Sequence, residues 1–309
     1  MTPAIELKEV TKVYRHRLRR NDVPALTHVS FEVNPGEVCA FLGPNGAGKT
    51  TSISIVMGFL RAEWGEIRVL GYEPGDVRAK QQIGFVPENF AFYKHLRGEK
   101  LLRFHAQLAG VAQEKTSGLI EQLLASVKLS EYRDLKIGKY SRGMVQRIGI
   151  AQALLADPSL LIMDEPTSGL DPAGRKEVRD LILTLKATGK TIFLSSHLLS
   201  EVEQICDRAV IINAGRVVRA GAMRELLAVA DRVEILADRL PGDMDSVIQQ
   251  LGGVIERPAG GVRIVVATAH KREIVERLWV AGCDVRSMQP LKNSLENIYM
   301  QLVGDVRPA

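Results

Sequence analysis

The segment Gly43-Pro44-Asn45-Gly46-Ala47-Gly48-Lys49-Thr50 constrains this chain more than any other stretch. It follows VCAFL, an unbroken apolar run of the kind that forms a parallel strand buried on both faces. It opens a helical pattern that runs through Met57. The spacing is G-x-x-x-x-G-K-[ST], in the strand–turn–helix setting that pattern requires. Glycines let backbone N–H groups converge on phosphate oxygens, and the helix N-terminus adds positive potential. Lys49 suits β- and γ-phosphates, and the Thr50 hydroxyl suits Mg²⁺. A glycine-rich loop that happens to end in lysine is the competing reading, and the rest of the chain decides between them.

IELKEVTKVY and LTHVSFEV alternate as antiparallel strands do, and EIRVLG and IGFVPE read as short strands. Between His95 and Ala156 the texture becomes helical. Leu101, Leu102, Phe104, His105 and Leu108 form one stripe, and Leu119, Ile120, Leu123, Leu124 and Val127 form another. SLLIMDE and TIFLSS return to buried strands, with a proline-opened helix at Pro172–Thr188 between them. AVIINAGRVVRAG reads as a hairpin turning at Ala214-Gly215. Beyond Gly221 the composition shifts. RVEILA, a helix near 243–251, VIERP, VRIVVA, a helix over Lys271–Val280 and CDVRSMQ follow in the order of a ferredoxin-like unit. The expectation is therefore an α/β body over residues 1–221, with a helical subdomain at about 95–156, and an α+β accessory domain over 222–309.

Composition narrows the class. Hydrophobic content of 46% and charged content of 25% are ordinary for a globular chain, and its 309 residues are comfortable for two domains. A net charge of +5 is too weak to indicate nucleic acid as a partner. The basic run Arg15–Arg20 reads as a solvated loop. Cys39, Cys206 and Cys283 are scattered, without metal-ligand or disulfide spacing. No apolar run approaches the roughly 18–20 residues that span a bilayer.

A phosphate cradle needs a further carboxylate for its metal. Asp164 ends the apolar run LLIM, and Glu165 follows. Successive residues at a strand end point in different directions, so one carboxylate can face a metal and the other an attacking water. Glu165 is the candidate general base.

In this order the motifs resemble the ATP-binding subunit of an ABC transporter. GPNGAGKTT (Gly43 to Thr51) corresponds to the Walker A motif, LLIMDEP to Walker B, SGLD, ending at Asp171, to the D-loop, and His197 after TIFLSS to the switch histidine. In that family the histidine contacts the γ-phosphate. KYSRGMVQR stands at the signature position. Tyr140, Arg142 and Met144 depart from the usual Leu-Ser-Gly-Gly-Gln, while Ser141 and Gly143 remain. Glu88 stands where most members have the Q-loop glutamine, and Tyr14 matches the aromatic that stacks on adenine.

The resemblance implies a P-loop NTPase fold with an antiparallel β subdomain and an inserted helical subdomain. It implies ATP and Mg²⁺ as cofactors. Nucleotide contacts would come from Tyr14, Gly43 to Thr51 and Asp171, and, for the nucleotide of a second subunit, from Ser141, Arg142, Gly143 and Met144. Thr50, Glu88 and Asp164 would hold the metal, and Lys49, Glu165 and His197 would carry the chemistry. The implied partners are a second ATP-binding subunit, as a homodimer, and a separate membrane permease at the cytoplasmic face, with no nucleic acid. The Glu88 and signature variants, with the tail NSLENIYMQLVG, are similar to small bacterial exporters of drugs and polysaccharides. A soluble ABC ATPase acting on ribosomes or DNA is the rival. Such proteins carry paired cassettes or a coiled-coil insertion, and this sequence has one cassette and no heptads. The carboxy-terminal unit could serve as a ligand sensor, a dimer contact or a spacer.

Overall fold

A computed structural model describes residues 2–14, 22–227, 232–242, 244–258, 260–290 and 294–304. The basic run Arg15–Arg20, and Asp243 and Asn293 at the expected starts of the helix near 243–251 and of the tail segment, lie outside the described residues. The chain divides into two units, one comprising residues up to Met223 together with 302–304, the other Arg224–Gln301.

In chain order the first unit contains β1 (Ile5–Tyr14), β2 (Val23–Val33), β3 (Val38–Leu42), α1 (Lys49–Val56), β4 (Trp64–Val69), α2 (Val77–Lys80), β5 (Ile83–Val86), α3 (Gly98–Leu108) and α4 (Gln113–Ser126). Then come α5 (Arg142–Ala153), β6 (Leu160–Met163), α6 (Pro172–Ala187), β7 (Thr191–Ser196), α7 (Leu199–Ile205), β8 (Arg208–Asn213) and β9 (Arg216–Ala222). The sequence reading passed over the short helices α2 and α7. A helix α8 (Met223–Leu226) follows β9.

Six strands form one sheet in the order β5-β6-β7-β3-β8-β9. The first five run parallel, and β9 turns back antiparallel along β8. Every residue of β3, β6 and β7 is buried, as their continuous apolar sequences require. The β8–β9 hairpin turns through Ala214 (φ 46°) and Gly215 (φ 74°), the positive-φ pair a two-residue loop needs. A second, antiparallel sheet runs β2-β1-β4. Phe31 of β2 meets Phe41 of β3 and Phe193 of β7, with ring centroids 5.2 and 5.7 Å away, so one aromatic cluster joins the two sheets.

The helical segment α3–α5 buries Leu101, Leu102, Ala106, Ile120, Leu124 and Ile148. The two runs of helical spacing form α3 and α4, and burial within the first is selective. Phe104 and Leu108 are exposed, and Ala106 takes the inward position. The apolar face of α3 is thus narrower than the spacing of its large residues implied. Phe104 instead meets Tyr93 and His105 edge-on at the surface.

The second unit contains β10 (Arg232–Ala237), α9 (Met244–Gln250), β11 (Val254–Glu256), β12 (Val262–Ala267), α10 (Lys271–Val280) and β13 (Val285–Pro290). Its sheet order is β11-β12-β10-β13, with every neighbouring pair antiparallel. Val233, Ile235, Ile264 and Val266 from the strands pack with Ile248 of α9 and with Ile274 and Leu278 of α10. On the other face Arg263 pairs with Glu234 and Glu256 on the flanking strands. A last helix, α11, spans Leu295–Gly304.

Glu99, in the first turn of α3, ties this helix to the segment before α5. Its carboxylate accepts hydrogen bonds from Arg103 Nη2 at 2.9 Å and from Arg133 Nη2 at 2.8 Å. The two guanidinium groups hold its carboxyl below the usual carboxylate range. A depressed pKa contributes stability above the unfolded-state value and loses it as pH falls through the folded value. We expect Glu99→Gln to cost about 1 kcal/mol at neutral pH. In urea unfolding the wild type and the variant should converge below about pH 4.

Candidate active site

The turn after β3 is shaped by its glycines. Gly46 (φ 80°) and Gly48 (φ 106°) hold left-handed backbone, and a Cβ on Gly48 would stand 2.7 Å from the Ala25 carbonyl oxygen. A Cβ on Gly43 would stand 2.4 Å from the Ile212 carbonyl oxygen, so β8 passes directly behind the loop. Gly48 caps α1 without any side-chain hydrogen bond, and the first turn holds no acidic residue. The positive end of this helix is left for an anion. Lys49 is only 7% exposed. Its ammonium donates to the Gly43 carbonyl oxygen at 2.7 Å and lies 3.5 Å from Glu165 Oε1.

The parallel pairing of β6 and β7 brings Asp164 and Glu165 beside Ser195, Ser196 and His197. Met163 lies opposite Leu194, so Asp164 comes level with Ser195. The Ser195 hydroxyl donates to Asp164 Oδ1 at 2.6 Å and accepts the Glu165 N–H at 2.8 Å. Glu165 has φ 48°, left-handed backbone at a residue other than glycine. Its Oε2 lies 2.7 Å from His197 Nδ1. One carboxylate therefore sits between a buried lysine and a half-exposed histidine.

Lys49, Asp164, Glu165 and His197 line one cavity of about 630 Å³ with Tyr14, Pro44, Asn45, Gly46, Gly48, Thr50, Thr51, Glu88 and Ser168, while Ser195 lies buried behind its wall. Of the expected loop residues, Gly43 and Ala47 are not on its wall, and both shape the loop from behind. Tyr14 is 40% exposed, and its hydroxyl approaches Thr51 Oγ1 at 3.5 Å. The Thr50 hydroxyl and the Asp164 and Glu88 carboxylates give the cavity hard oxygen donors, a set that fits Mg²⁺. Among the described residues no cluster of three or more His, Cys, Asp or Glu forms a metal cage. That suits a cation that binds through one or two carboxylates together with substrate phosphates.

The remaining expected contacts gather elsewhere, at the starts of α5 and α6. Ser141 caps α5 by accepting the Met144 N–H, and Asp171 caps α6 by accepting the Gly174 N–H at 3.0 Å. The Arg142 guanidinium lies over Gly169, where a Cβ would stand 2.3 Å from its Nη1. A Cβ on Gly143 would come 4.0 Å from Gly174 Cα. None of Ser141, Arg142, Gly143, Met144 and Asp171 lines the cavity that holds Lys49. The sequence reading missed Ser195 and Ser168. Ser195 had a legible signal, because it precedes His197 by two residues and the period of a strand is two.

Among the described residues no helix is long and apolar enough to cross a membrane. The model of the ABC transporter family matches residues 26–168. An uncharacterized ABC transporter ATP-binding protein of Nostoc sp. is 40% identical over 98% of this chain and 90% of its own length. The linearmycin resistance ATP-binding protein LnrL of Bacillus subtilis is 33% identical over 89% of this chain and 92% of its own. The solved structure of an ATP-binding subunit of an ABC transporter, 31% identical, superposes with a TM-score of 0.63 over 72% of this chain and 91% of that one. The chain belongs to the ABC transporter family, as one of its ATP-binding proteins, an ATPase that serves transport.

Proposed function

We propose that the cavity headed by Gly43–Thr50 binds ATP with Mg²⁺ and cleaves its γ-phosphate, and that the chain energises export through a separate membrane permease. The observation that carries this reading is Glu165, whose carboxylate stands between Lys49 at 3.5 Å and His197 at 2.7 Å on the wall of that cavity.

Each residue then has a role. The N–H groups of Gly46 to Thr51 surround the phosphates, and Tyr14 offers a stacking face to the base. Lys49 exchanges its loop carbonyls for phosphate oxygens. Glu165 orients an attacking water in line with the γ-phosphate and takes its proton, while His197 offsets charge on the transferring group. Thr50, Asp164 and Glu88 would hold Mg²⁺, which would supply positive charge to offset that of the phosphates.

The second cluster supports a two-chain site. Ser141, Arg142, Gly143 and Met144, with Asp171 beside them, stand apart from Lys49, so a second copy of the chain supplies them across a nucleotide. A groove between β5 and the helical segment, lined by Phe85, Phe90, Leu108 and Val111, offers an apolar seat for a cytoplasmic helix of the permease. The likeness to a linearmycin resistance protein supports removal of a compound as the direction of transport. We assign residues 1–221 to the ATPase domain and 222–309 to an accessory domain. The strand order β13-β10-β12-β11, with a helix in each crossover, supports a ferredoxin-like fold for the latter.

Glu165→Gln should retain ATP binding and lose turnover by about 10²- to 10⁴-fold. Full turnover in that variant would overturn the assignment of Glu165. Purification from native membranes in a gentle detergent should carry a multi-span membrane protein along with the chain. Recovery with ribosomes or DNA instead would replace the transport partner by a soluble one.

A further inference from the structure

Ser195 has no part in the phosphate cradle, yet it is fully buried at the point where the two Walker B acids meet β7. Its hydroxyl makes two hydrogen bonds of opposite sense, giving its single proton to Asp164 Oδ1 and accepting the Glu165 N–H. A backbone amide can only donate, so the hydroxyl cannot reverse. Its polarity is fixed. One Asp164 oxygen is thereby occupied, and the other remains for a cation.

The amide that Ser195 accepts belongs to a residue in left-handed backbone. Glu165 holds φ 48°, a conformation that is strained for a residue with a Cβ and persists only where neighbours over-determine it. The Ser195 hydroxyl fixes the peptide plane, and His197, two residues further along the same strand direction, holds the side chain at 2.7 Å. The end of β7 thus grips Glu165 twice, by its backbone and by its carboxylate.

We infer that Ser195 is a positioning residue for hydrolysis. Its hydroxyl couples the metal-side carboxylate of Asp164 to the left-handed backbone that presents Glu165 to the attacking water. The inference rests on the reading of Glu165 as general base, and it assigns a residue outside the family motifs identified above.

The test compares the full-length wild type with Ser195→Ala, Ser195→Cys and Glu165→Gln in ATP turnover, nucleotide affinity, Mg²⁺ dependence and thermal midpoint. Cysteine preserves size and burial but is a weak donor, so it keeps the test valid should alanine prevent folding. Both serine variants are expected to lose kcat by about 10- to 100-fold, with KM for ATP within about twofold and a higher Mg²⁺ requirement. A purely structural serine would lower the thermal midpoint and leave kcat per folded molecule intact, and that result overturns the inference. Wild-type kcat in a folded serine variant, with turnover abolished in Glu165→Gln, overturns the Ser195 assignment alone. Wild-type kcat in Glu165→Gln as well overturns the reading of Glu165 beneath it.

Discussion

The parallel registration of β3, β7 and β6 is the constraint on which the rest depends. Phe41 lies opposite Ser195, and Met163 lies opposite Leu194. Three chain segments therefore leave the same edge of the sheet at the same level, carrying the Gly43–Lys49 loop, the Asp164-Glu165 pair and the Ser195–His197 run. In an open α/β sheet that carboxyl edge is where a ligand is met. Because all three strands are buried, their backbone N–H and C=O groups depend on this pairing rather than on water. The cluster of Phe31, Phe41 and Phe193 extends this order to the antiparallel sheet, whose first strand ends at Tyr14 on the cavity wall.

Electrostatics at that edge follows from burial. Lys49 is almost withdrawn from water, and a buried cation must be compensated. The Gly43 and Pro44 carbonyl oxygens supply part of this, and the Glu165 carboxylate adds a negative charge. These partners sit at the rim of an uncapped helix N-terminus, so the field is arranged for negative charge before a phosphate arrives. His197 on the far side of Glu165 keeps that carboxylate from turning wholly toward the lysine.

The unusual signature has a structural counterpart one element away. Arg142 stands where glycine is common, and its guanidinium lies over Gly169, a residue held at φ 66°. That approach brings the start of α5 beside the turn before α6. Asp171 and Ser141 then fix the two helix starts by the same device, a side-chain oxygen accepting the N–H three residues on.

Much of this was legible in the chain itself, and the reason is local. The cradle from Gly43 to Thr50 is encoded by backbone freedom and helix polarity within eight consecutive residues. The buried strands before it and before Asp164 are encoded by runs of apolar side chains. The hairpin at Ala214-Gly215 and the helix at Lys271–Val280 were readable for similar reasons. Where contacts between distant elements decide, the sequence was silent or misleading. The spacing of Phe104 and Leu108 indicated a helix but not its buried face, and the packing of α3 against its neighbours chose Ala106. Ser195 was one hydroxyl in a strand until β6 and β7 were laid side by side. The amino-acid order by itself determined where the glycine-rich turn, the lysine, the paired carboxylates and the histidine fall along the chain. Only the tertiary structure decided which of them share a cavity and which stand apart, because strand register and side-chain burial are properties of the assembled sheet.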